Sequence, residues 1–205
     1  MEKERRLAIN KKKSIAVAVV LLAVLLIGGM LAYFTDTDTK TNVFTLGDNI
    51  EISLTETWTA ANGQNLHPGA TVAKKPAIKN DSTTTTAYVF MKVDVPCYAA
   101  TGTTVNTPLF TFTTKTGWTL INTPTVNTST KTISYVYAYG TASAMTSLAA
   151  NTTTGTLFDS VTLAPTLTSA QKTTASATPN IVVNAYGIQV DNLSTSTPSA
   201  IYALF

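Results

Sequence analysis

Residues 87–95 read AYVFMKVDV. Val89, Met91, Val93 and Val95 share one parity, and Tyr88, Phe90, Lys92 and Asp94 share the other. Side chains alternate faces along a strand, so this stretch is a strand with one wholly apolar face. Pro96 follows and marks its predicted end. The same period recurs on either side. TISYVYAY (132–139) sets Ile133, Tyr135, Tyr137 and Tyr139 on one face. NIVVNAYGIQV (180–190) sets Val182, Tyr186, Ile188 and Val190 on one face. VFTLGDNIEISL (43–54) aligns Phe44, Leu46, Ile50, Ile52 and Leu54, with Gly47-Asp48-Asn49 as a bend or bulge.

Shorter strands are predicted over PLFTFTT (108–114), TLFDSVTL (156–163) and ATVAKKPAIKN (70–80). Pro76 marks the last of these as an edge or a bulged strand. Trp118 falls in a strand after a turn at Gly117. NGQNLHPG (62–69) and DSTTTT (81–86) read as loops, and TLTSAQKTTASAT (166–178) as a loop or a short helix. Seven to nine short strands with no long helical pattern predict an all-β fold. The form predicted is a single antiparallel β-sandwich of jelly-roll or immunoglobulin-like kind.

The composition fits this and excludes much else. The chain has 205 residues, and only 12% of them are charged. Thr fills 41 of the positions from 33 to 205. Thr is β-branched and suits strands, and its hydroxyl is readily satisfied in turns. Six of the Lys and Arg residues lie within the first 13 positions. Residues 33–205 are left with 8 basic and 9 acidic side chains, net −1. Bulk charge therefore excludes a basic nucleic-acid binder.

There is one cysteine, Cys97, and one histidine, His67. An intramolecular disulfide is impossible, and a zinc site built from Cys and His lacks ligands. No Gly-x-Ser-x-Gly, P-loop or dinucleotide-binding motif occurs. No catalytic residue, no cofactor and no metal ligand is assigned.

Residues 1–32 read as an export signal. MEKERRLAINKKK (1–13) is a positive n-region, and SIAVAVVLLAVLLIGGML (14–31) is an apolar h-region of helical character. It is also near the shortest length that spans a bilayer, so retention as an anchor stays open. Membrane contact is expected only through this segment when uncleaved. The small residue Ala32 before Tyr33 is the predicted cleavage point. The domain expected to follow runs from 33 to 205, with a leader or strand at 33–46.

The stretch GGMLAYFTDTDTKTNVFTLGDNIEISL (28–54) resembles the signal and mature start of TasA-type and camelysin-type proteins. The specific part is Ala32-Tyr33-Phe34-Thr35-Asp36, followed by Asn42, Phe44 and Gly47. The resemblance continues through His67-Pro68-Gly69, Lys74-Lys75-Pro76, Asn80 and the strand Tyr88–Val93. It resumes over Leu157–Leu163 and Ile181–Asp191. Residues 97–155 carry no motif of that family.

The resemblance implies export from a Gram-positive bacterium, processing by a signal peptidase of SipW type, and a subunit of extracellular biofilm-matrix or cell-surface fibres. The expected partners are further copies of the chain and a minor fibre or anchor protein. It also raises a camelysin-like surface metalloprotease, against which the ligand inventory argues. A monomeric adhesion or binding module on the same fold is the third reading.

Several residues carry two readings each. An apolar strand freed by cleavage can complete a neighbour's open sheet, and repeating one head-to-tail contact makes a filament. Tyr33, Phe34, Val43, Phe44 and Leu46 would be the anchors of such a donor strand, and a disordered leader is the alternative. His67 is read as a loop histidine rather than a ligand, and Cys97 as a small buried residue rather than an intermolecular disulfide partner. The Tyr135/Tyr137/Tyr139 stripe packs between sheets or binds carbohydrate. Asn80, Asn127, Asn151 and Asn192 stand in Asn-x-Ser/Thr sequons, which arise by chance in so Thr-rich a chain. Lys92, Asn184 and Asp94 have the residue types of an isopeptide cross-link.

Overall fold

The computed structural model describes residues 50–176, 179–195 and 197–205. All of them fall in one unit, Gly47–Phe205. The signal segment, the cleavage point and the leader 33–46 lie outside the described residues. In chain order the strands are β1 Ile52–Thr57, β2 Thr71–Ala73, β3 Lys75–Asn80, β4 Ala87–Tyr98, β5 Thr107–Pro108, β6 Phe110–Thr111, β7 Trp118–Leu120, β8 Thr125–Asn127, β9 Thr132–Tyr139, β10 Ser160–Leu163 and β11 Val182–Gln189.

β4 is the spine. It pairs antiparallel with β11 on one side and β9 on the other, and β7 and β8 follow along β9. The second layer is built on residues 71–80. β10 pairs with β2 and with β6, while β1 pairs with β3. The chain from 152 to 159 lines the other side of β3: Thr154 N donates to Ile78 O, Leu157 N to Pro76 O (both 2.9 Å), and Lys74 N to Asp159 O (3.1 Å). The result is the expected all-β antiparallel sandwich.

The face that decides the fold points between the layers. Val89, Met91, Val93 and Val95 have no exposed surface and meet Ile78, Leu157, Phe158 and Val161. Burying each such side chain stabilises the fold by about 1.5–3 kcal/mol. The tyrosine stripe points inward too. Phe112 lies 6.2 Å from Tyr135, 6.1 Å from Tyr137 and stacks on Phe158 at 4.2 Å. The carbohydrate reading of that stripe therefore gives way to core packing.

The other face of β4 is covered as well. Ile201, in the helical turn Pro198–Tyr202, is fully buried against Phe90 and Ala138. Phe90, Tyr186, Tyr202 and Phe205 form a ring cluster with centroids 5.4–5.9 Å apart.

Pro96 does not end β4, which runs on to Tyr98. The residue that cannot donate still accepts, taking Leu109 N at 2.7 Å. Cys97 N donates to Lys131 O, and β5 then pairs with Cys97 and Tyr98. One residue later, beyond Leu109, the chain has crossed to the second layer as β6.

Pro76 is likewise not on an edge. The run 71–80 is interrupted at Lys74, and Pro76 is flanked on both sides. β1 begins at Ile52, so the expected strand 43–54 is described only at its end. Within 166–178 the short helix is Ser169–Lys172, started by a capping box: Gln171 N donates to Thr168 Oγ1 and Thr168 N to Gln171 Oε1.

Asn80 closes one corner. It is fully buried, and its amide nitrogen donates to Thr85 O (2.9 Å) and Leu148 O (3.0 Å). Its oxygen accepts from Ser82 N (3.1 Å), and Ser82 Oγ accepts from Glu51 N (2.9 Å).

Candidate functional site

The break in the run 71–80 puts Lys74 inside. It is the one charged residue among the buried described residues. Its Nζ meets Glu56 Oε1 at 2.7 Å and lies 5.2 Å from the centroid of the Trp58 ring. Glu56 comes from β1, and Trp58 from the residue just after it. Trp58 is 42% exposed, yet it is seated. The 3₁₀ turn Ala60–Gly63 brings Gly63 against the ring edge, where a Cβ would stand 2.8 Å from two ring carbons.

These side chains wall a cleft of about 310 Å³. Its floor is Val72, Phe110 and Val161, all members of the main core, and its far rim is Pro179, Asn180 and Ile181. A second hollow of about 410 Å³ shares Gly63, Leu66, Phe110 and Pro179 with it and extends to Leu163, Leu167 and Lys172. The two hollows adjoin along this side of the sandwich. Close by, β1 is hydrogen-bonded to β3 alone and β11 to β4 alone among the described strands, and the two lie against each other where Ile52 meets Gly187. A cleft with an apolar floor, beside strands with one hydrogen-bonded ladder each, can take an extended segment. Main-chain bonds would run along the strand and side chains would fill the hollows.

The other residues singled out from sequence fall elsewhere. The proposed anchors Tyr33, Phe34, Val43, Phe44 and Leu46, and the cleavage pair Ala32-Tyr33, lie outside the described residues. His67 is exposed at the corner of a type II turn, with Pro68 and Gly69 (φ 83°) at its centre and Ala70 N donating to His67 O at 2.9 Å. Cys97 is buried, and that burial pushes its thiol pKa up against the opposing pull of Lys131. A buried thiol in its protonated form is poorly placed for an intermolecular disulfide.

Among the sequons, Asn80 is spent on its three hydrogen bonds. Asn127 accepts from Ser129 N and Thr130 N, while Asn151 and Asn192 take left-handed turn conformations. Lys92 and Asn184 are direct cross-strand partners, and Lys92 Nζ is 3.5 Å from Asp94 Oδ1. The group lies on the solvent side, with Asn184 exposed.

Four of the described carboxylates pair one to one with lysines: Glu56 with Lys74, Asp81 with Lys79, Asp94 with Lys92, and Asp159 with Lys115. Among the described residues no three of His, Cys, Asp and Glu come together. A catalytic zinc takes three protein ligands and an open position, and this donor set does not fit one.

The family model described as camelysin metallo-endopeptidase matches residues 8–106, which supports the assignment to the TasA/camelysin family. The match covers just under half of the chain. It takes in Glu56, Trp58 and Lys74 and stops short of Phe110, Val161 and residues 179–181. No curated protein and no solved structure matches the chain. This likeness points to an exported, biofilm-associated protein of the cell surface or its surroundings. Among the described residues no helix is long and apolar enough to cross a membrane.

Proposed function

We propose that the chain is a secreted structural subunit of extracellular biofilm-matrix or cell-surface fibres. A signal peptidase of SipW type would release it between Ala32 and Tyr33. The freed segment 33–46 would then act as a donor strand for the next copy, with Tyr33, Phe34, Val43, Phe44 and Leu46 as anchors. The observation that carries this reading is the cleft floored by core residues Val72, Phe110 and Val161 beside β1, a strand with one hydrogen-bonded ladder among the described residues. A finished sandwich has no need of such an opening, and an inserted strand would close it. A minor fibre or anchor protein would hold the filament to the cell.

Electron microscopy of a chain beginning at Tyr33, beside one lacking 33–46, tests the reading. Fibres from the first and none from the second support it. Monomers from both, over a range of pH and concentration, favour a monomeric adhesion module on the same fold. The seated, exposed Trp58 is the feature that favours that second reading, since such rings anchor ligands. The metalloprotease reading has only the family's description in its favour, and casein cleavage that a chelator abolishes would restore it.

A further inference from the structure

Lys74 is out of place in an apolar cleft. A buried ammonium needs a close partner, because taking it out of water is costly. Glu56 and the Trp58 ring supply that partner in the subunit described. The two members of the ion pair are not equally fixed. The Lys74 side chain is 9% exposed and sits in the run that carries the second layer. The Glu56 side chain is 24% exposed and stands on β1, which among the described strands is hydrogen-bonded to β3 alone. Glu56 is the partner free to turn to water, and Lys74 the one that stays.

The segment proposed to enter the cleft reads YFTDTDTKTNVFTL (33–46). In an extended chain alternate residues share a face. Phe34, Asp36, Asp38, Phe44 and Leu46 therefore lie together, with Lys40 and Asn42 between them, and the opposite face is mostly Thr. Any insertion that seats Phe44 and Leu46 also turns two carboxylates inward. A carboxylate taken out of water needs a cation, and the cleft offers Lys74.

We propose that Lys74 narrows the register of the inserted strand: it takes the carboxylate of Asp36 or Asp38 from a second copy of this chain, while Glu56 holds that place in the free subunit. This rests on the strand-insertion reading and adds to it a specific ionic contact. Unlike an apolar groove alone, such a contact confines the strand to the two registers that bring Asp36 or Asp38 to Lys74, since slipping further presents apolar Phe34 or the like-charged Lys40.

The test is binding of a fluorescently labelled peptide of residues 33–46 to the full chain, held in detergent at a concentration where it is monomeric. The Asp36→Asn/Asp38→Asn peptide should bind at least about tenfold more weakly than the natural one, as loss of a charge-assisted bond implies. Lys74→Met should weaken the natural peptide by a similar factor and leave the Asn peptide unchanged. Glu56→Gln should do the opposite and tighten the natural peptide, because it leaves Lys74 without its resident carboxylate.

The peptide substitutions leave the protein untouched, so the result stands even if a protein variant folds poorly. Equal affinity for the two peptides would overturn the register contact while leaving strand insertion in place. Failure of both peptides to bind would overturn the contact and the insertion reading together.

Discussion

Asn80 and Lys74 lie six positions apart on the same run of chain, and both are buried polar side chains. Asn80 is neutral and meets three fixed backbone groups, at Thr85, Leu148 and Ser82. Lys74 is charged and meets one movable carboxylate and a ring, at the wall of an opening. One closes its end of the sandwich and the other borders the end left open. A buried polar group is thus not one kind of feature. Its partners decide whether it locks the fold or stands ready for exchange.

The contrast breaks if the two positions respond alike to substitution. Asn80→Ala removes three hydrogen bonds and takes the side-chain acceptor from buried Ser82 N, and should cost about 3 kcal/mol, read from urea unfolding. Asn80→Asp should cost at least as much, since it sets an oxygen against the carbonyls of Thr85 and Leu148. Lys74→Met should cost far less, about 1 kcal/mol, because the desolvation of the pair vanishes with it and Glu56 reaches water. A loss at Lys74 equal to that at Asn80 would mean that the cleft is a structural lock. Gly63→Ala should move stability less again, since the Trp58 ring it displaces is 42% exposed. The indole emission should shift to the red as the ring leaves its seat.

The smallest effect belongs to the surface pairs. The Lys79 and Ser53 hydrogen bonds hold Asp81 below the usual carboxylate range, and those of Lys115 and Thr156 do the same for Asp159. A depressed folded pKa stabilises the fold above the unfolded value of about 3.9 and is lost as pH falls through the folded one. Thermal melting should therefore be insensitive to these groups near neutral pH and decline slightly in acid. Both carboxylates are exposed, so salt should erase the difference. A large acid transition removed by Asp81→Asn would show that this pair is more than a surface contact.

Much of the fold was legible because period two is a local signal. It located β4, β9 and β11, and for β4 and β9 the face turned inward, down to the tyrosines of β9. On β11 it marked Val182, Tyr186, Ile188 and Val190, whereas Ile181, Val183 and Ala185 are the residues that pack on the main core and Val182 is exposed. It failed where the reason was tertiary. β8 has three exposed residues and so no apolar face to read. β4 runs past Pro96 because Leu109 and Lys131, distant in sequence, supply its next bonds. The cleft was not legible at all. Its walls come from residues 56–66, 72–74, 110, 161 and 179–181, and no window of sequence holds them together. One signal was available: a Lys at position 74 between apolar Val72 and Pro76, where strand parity would bury it. The anchors named from sequence remain a sequence argument, since they lie outside the described residues.

The position of β4 has a mechanical consequence. It is gripped by eight residues of β11 and seven of β9, antiparallel on both flanks. The bonds of such ladders run across the strand axis. A pull along β4 loads both ladders in shear, so the bonds share the force and do not break singly, as they would along a peeled edge. β1, with its single ladder to β3, has half that grip. Under tension the molecule should yield first at β1, the strand beside the opening, and last at the strand whose alternation declared the fold.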